Sequence, residues 1–177
     1  MRHAVALLAL TLAACAHPVT PPKPLPEAQP ISVLLDAAGD TLTDVAADFA
    51  GKNARACIGI TYAGAIAHAV ADGITGVTDE AHKLPDLDVD PSACGAVDTN
   101  VDIPSEVFTV LRSSRAMTEA ALAAAFVGGR LSCLQYRYGV AGTQYAVDAV
   151  LTGMSAAQTP DGPVHLDGPT VDFAACQ

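Results

Sequence analysis

A chain of 177 residues with 51% hydrophobic, 16% charged and 5% aromatic side chains is too apolar to stay disordered and lacks the regularity of a collagen. Nine Lys and Arg against nineteen Asp and Glu leave a formal charge of −10, the wrong sign for gripping nucleic acid or anionic lipid headgroups. Once an N-terminal segment is removed, about one domain with a sizeable core remains.

Arg2 and His3 open the chain, and Ala4–Ala14 form an apolar run broken only by Thr11. A charged start before a run of this length marks a secretory signal, too short to span a bilayer as a stable helix. The run ends in Leu12-Ala13-Ala14-Cys15, which resembles the lipobox of bacterial lipoproteins. That resemblance implies that the signal, residues 1–14, is removed and that Cys15 is diacylated on sulfur by palmitate-type chains and becomes the new N-terminus. In that family an Asp after the lipidated Cys favours retention at the inner membrane; Ala16 here implies the outer membrane, with a domain facing the periplasm. Acyl chains anchor a protein without any transmembrane helix. Residues 16–30 hold six prolines and no apolar period, so they read as a polyproline spacer reaching roughly 45 Å from the lipid.

The domain proper, residues 31–177, begins with Ile31, Leu35, Ala38, Leu42, Val45 and Phe49, one face of an amphipathic helix that Gly51, Lys52 and Asn53 end. A second helix is expected over about 55–76, with Gly59, Ala63, Ala67 and Ala71 four apart, a row that admits a close neighbour. A membrane span is the alternative there, but His68 and Asp72 interrupt it. A third, Ala-rich helix covers 105–127 and stops at Gly128-Gly129. The fourth, about 130–157, places Cys133, Tyr136, Val140, Val147, Val150 and Met154 at helical spacing. Between residues 30 and 157 the one alternating stretch, Leu87-Asp88-Val89-Asp90, is too short to anchor a sheet.

With Cys15 committed to lipid, four cysteines remain, and an even number in an exported chain argues for two disulfides. A zinc site is poorly supported, because no Cys-x-x-Cys pair exists. Spacing selects among the three pairings. Cys57 and Cys133 each follow an Arg (Arg55, Arg130) and precede Tyr62 or Tyr138 by five residues and Asp72 or Asp148 by fifteen. Cys94 and Cys176 each close the pattern Val-Asp-x-x-x-Cys, and Thr43-Asp44 and Thr118-Glu119 match upstream. This frame points to a tandem duplication, about 30–94 and 104–176, with disulfides Cys57–Cys94 and Cys133–Cys176 inside the repeats. Loops of that size disfavour the unfolded chain by about 4 kcal/mol each on chain entropy. The fold class expected is all-α: an antiparallel four-helix bundle of two disulfide-tied hairpins, each ending in an irregular tail.

Four features are candidates for chemistry. Asp36, Asp40, Asp44 and Asp48 lie four apart and form an acidic ridge opposite the apolar face of the first helix. Such pairs oppose helix formation by about 0.2–0.5 kcal/mol each, so the ridge is either a surface for a basic partner or a solvated face. Asp86-x-Asp88-x-Asp90 opens like a calcium loop, but Pro91 stands where Gly is needed and Val97 where a bidentate Glu belongs. His68 and Asp72 could pair one helical turn apart, without a nearby nucleophile. Tyr136, Tyr138 and Tyr145, with Arg137 among them, could line a small-ligand pocket or belong to the core. Hydrolase, zincin and phosphate-loop motifs are missing. The function expected is that of a membrane-anchored envelope lipoprotein acting without catalysis, its acidic face toward a basic envelope protein, with no cofactor, metal or nucleic acid. A module for a small apolar ligand between the helices is the alternative.

Overall fold

A computed structural model describes residues 31–77 and 83–176. The signal segment, Cys15 and the Pro-rich spacer lie outside the described residues. Four helices dominate: α1 (Ile31–Phe49), α2 (Ala54–Gly73), α3 (Ser105–Val127) and α4 (Cys133–Met154). Gly51, at φ +68°, reverses the chain after α1, and the Asn53 side chain accepts from the Ala56 N–H to start α2. The second hairpin repeats the device with Gly129 at φ +70°. There a capping box, in which Ser132 accepts from Gln135 N–H and Gln135 accepts from Ser132 N–H, starts α4. This cap makes α4 begin at Cys133 and not at 130 as expected, and it ends at Met154, short of 157.

The helices lie in the order α1, α2, α4, α3, with α2 packed extensively on both α1 and α4, and α3 touching mainly α4. Each is antiparallel to its neighbour: Gly39 faces His68 and Gly64, Gly59 faces Gly153, and Leu122 faces Gly139. At the central seam a Cβ on Gly153 would stand 2.6 Å from the Cα of Gly59, so the α2 and α4 backbones touch there. α1 and α3, on the outside, share no extensive contact, although Leu42 of α1 and Val107, Phe108 and Leu111 of α3 reach a common cluster around Ala63, Val150 and Met154. With its 3-10 extension to Gly76, α2 is long and apolar enough to cross a membrane, yet most of it is buried inside the fold, as in a core helix.

Both disulfides join the cysteines that the repeated frame pairs, Cys57–Cys94 and Cys133–Cys176. The two Val-Asp-x-x-x-Cys segments have one local structure. Val89 and Val171 are buried, and Asp90 and Asp172 accept from the N–H two residues on, Ser92 and Ala174, at 2.9 Å in both. A single 3-10 turn (Ser92–Cys94, Ala174–Cys176) then carries each Cys to its partner. The Asp therefore caps the turn that aims the thiol, which explains its fixed place in the motif.

One expectation is overturned. Strand β1 (Leu87–Val89) does pair, antiparallel, with β2 (Val164–Leu166), in the register Leu87↔Leu166, Asp88↔His165, Val89↔Val164. A bridge between Lys83 and Thr170 continues the same register. Three-residue strands are marginal alone, but here each belongs to a tail already tied down by a disulfide. The tails thus return to their own hairpins through sulfur and also hold one another.

Candidate functional site

Asp36, Asp40, Asp44 and Asp48 are all exposed along α1. The ridge is not uniform. His68 of α2 crosses to its N-terminal half, with Nδ1 2.7 Å from Asp36 and Nε2 3.7 Å from Asp40. Gly39 makes this possible, because the imidazole lies where its Cβ would be, 2.8 Å away. The partner of His68 is therefore Asp36 on the facing helix and not Asp72, which is exposed one turn along α2. Among the described residues no cation is paired with Asp44 or Asp48.

The three tyrosines do not line a common pocket. Tyr138 is buried with its hydroxyl against Gly73, in the space a Cβ there would need. Tyr136 stacks on Phe126 of α3 at 4.9 Å. Tyr145 buries its hydroxyl without a hydrogen-bond partner. Burial raises the phenol pKa of Tyr138 and of Tyr62, and burial with the negative field of Asp86 and Asp167 raises that of Tyr145. Two clefts open at the loops, one between Ser92–Val97 and Gln158–Asp161, the other beside Lys52, Asn53 and Asp98.

The acids of the calcium-like stretch go separate ways. Asp90 caps its own turn, and the Ser92 N–H lowers its pKa. Asp86, just before β1, and Asp88 within it meet residues that sequence reasoning did not single out. Asp86 takes Lys83 Nζ at 2.7 Å and the Gly168 N–H at 2.8 Å, which together hold its carboxyl below the usual range. Asp88 accepts from or pairs with His165 Nδ1 at 2.9 Å, and that bond, with the nearby charges of Asp88, Asp167 and Asp86, raises the imidazole pKa. The other ring nitrogen, Nε2, is 3.5 Å from Asp167. The signal was present in the sequence: Val164-His165-Leu166-Asp167 alternates as Leu87-Asp88-Val89-Asp90 does.

No family model matches the chain, and no curated protein or solved structure matches it.

Proposed function

We propose that this chain is an outer-membrane lipoprotein, anchored through Cys15 and facing the periplasm, that acts without catalysis as an interaction protein for a basic envelope partner. The fold reading that accompanies it is an antiparallel four-helix bundle grown from two tandem hairpins, supported by the twin Val-Asp-x-x-x-Cys turns. Two internal disulfides favour an oxidising compartment such as the periplasm. The observation that carries the partner reading is the exposed row Asp36, Asp40, Asp44 and Asp48, whose C-terminal half has no cation of this chain against it among the described residues. Such a surface favours encounter with a positive patch. The module for a small apolar ligand is less favoured, because Gly59 and Gly153 bring α2 and α4 into backbone contact where its pocket would lie.

Two measurements test the reading. Cys15→Ser should release the chain from the membrane or block its processing; a processed, membrane-bound Cys15→Ser protein ends the anchor claim. A photoreactive residue at Ala47, exposed beside Asp44 and Asp48, should cross-link the full-length protein in cells to a basic envelope protein. Changing the four ridge acids to Asn should abolish that adduct, and an adduct that survives the change removes the acidic face from the account.

A further inference from the structure

The register of β1 and β2 concentrates charge on one face of the sheet. Asp88 faces His165. The isolated Lys83–Thr170 bridge keeps the same register, which sets Asp86 opposite Asp167. Like charges directly opposite one another destabilise a strand pair, so this arrangement asks for a cation. Lys83 meets Asp86 from the side, and His165 stands between Asp88 and Asp167, so neither group lies between Asp86 and Asp167 themselves. One ligand atom each from Asp86, His165 and Asp167 lie within 4.8 Å of one another, and all three residues are exposed, so an ion has free access.

We propose that Asp86, His165 and Asp167 bind a divalent ion of the zinc type, with His165 ligating through Nε2 while Asp88 holds its Nδ1–H. Three features beyond the gathering of carboxylates support this. The 2.9 Å contact with Asp88 fixes the ring's orientation, and with Nδ1–H given to that carboxylate an ion that displaces the Nε2 proton meets the lone pair there, the carboxylate–histidine arrangement that orients metal ligands. The 3.5 Å from Nε2 to Asp167 is long for a hydrogen bond; it is close to the separation of about 3.3 Å between two ligands of one tetrahedral ion with bonds of about 2.0–2.1 Å. The third is independent of the cluster. The Tyr145 hydroxyl, on α4, is fully buried and has no partner, and it lies in the field of both Asp86 and Asp167. Buried hydroxyls are almost always satisfied, so an unpartnered one in the field of these two carboxylates points to a group that the chain alone does not supply.

The donor set selects the metal. Calcium takes six to eight oxygens and has no use for an imidazole, whereas one nitrogen, two carboxylates and an open position suit zinc. Lys83 becomes a built-in competitor, its ammonium occupying Asp86 until an ion displaces it. The ion would bridge the two tails, joining the ends of both repeats.

The test uses the full chain in detergent, without a histidine tag and stripped with EDTA. Zn²⁺ is titrated by calorimetry, and Co²⁺ by its visible absorption. One ion should bind per chain. His165→Ala and Asp167→Asn should each weaken binding by about a hundredfold or more, and Asp88→Asn by about tenfold to a hundredfold, the range for a partner of a ligating histidine. Lys83→Met should bind as tightly as the parent or tighter, because it removes the competing charge. Asp88→Asn keeps shape and hydrogen bonding, so it remains informative where His165→Ala disturbs the strand pair; circular dichroism monitors the fold. Absence of binding, equal affinity in the His165 and Asp88 variants, or a loss that follows His68→Ala overturns the proposal.

Discussion

The two halves share a frame and differ in what they bury. Twelve of the residues of α2 are buried, whereas among the described side chains of α3 only Leu122 and Ala125 belong to the buried hydrophobic core, and Met117 and Val127 are exposed. Cys57 and Cys94 are 3% and 1% exposed, but Cys133 and Cys176 are only half-buried. The reason lies in position and composition. α2 is sandwiched between α1 and α4, while α3 is packed mainly on one side, and its alanines offer little apolar area. A repeated sequence frame therefore specifies the local devices equally in both halves, whereas the core is specified by which helix is central.

The sharpest way to break this comparison is to remove each disulfide in turn. On chain entropy both should stabilise by about 4 kcal/mol. Replacing Cys57 and Cys94 by Ala also empties space in the core, adding about 1–2 kcal/mol; replacing Cys133 and Cys176 leaves a gap that water fills. Urea unfolding of the Cys15→Ser chain should rank the first pair as the more costly loss. Equal losses would mean that the first half is not the core.

A second contrast separates the central seam from the outer one. Gly153→Ala drives a methyl against the Gly59 backbone, which cannot yield without parting α2 from α4. A loss of about 3 kcal/mol is expected. Gly39→Ala meets the ring of His68 first, which is about one-third exposed and can swing outward. Its loss should stay below about 1 kcal/mol, since it breaks mainly an exposed ion pair. Thermal midpoints of the two variants decide the matter, and similar values would show that the seams are equally tight.

What the sequence disclosed follows the same division. The helices were legible because their apolar residues recur at helical spacing, and the disulfide pairing because Tyr and Val-Asp-x-x-x-Cys recur at fixed offsets. The β1–β2 pair was not, because three residues carry too little alternation, and the strands draw their support from tails tethered by sulfur. The start of α4 was set three residues early because the apolar period places a helix without marking its first residue, which the Ser132–Gln135 cap fixes at Cys133. The partner of His68 was misjudged within one helix, since only packing reveals that Gly39 admits its ring to Asp36. The same holds for His165, whose neighbours come from a segment 77 residues away. Contacts across helices depend on which backbones approach closely, and small residues permit an approach without naming the partner.

The smallest expected effect sharpens the reading of the acidic ridge by splitting it. All four acids are exposed, so none should contribute more than a fraction of a kcal/mol to folding. Asp44 and Asp48 face one another one turn apart with no described cation between them, and changing both to Asn removes a repulsion of about 0.2–0.5 kcal/mol. The midpoint should rise slightly, and the rise should shrink in high salt, which screens exposed charges. Asp36 and Asp40 carry the same repulsion but also hold His68, so changing them to Asn gives up the charge behind the 2.7 Å contact that ties α1 to α2. Their loss should cancel the gain or exceed it by less than about 1 kcal/mol. Combining each pair with His68→Ala checks the assignment: the Asp36/Asp40 change should become as favourable as the Asp44/Asp48 change once the histidine is gone. If the two pairs already behave alike in the parent, His68 does not divide the ridge, and the whole of it is available to a partner.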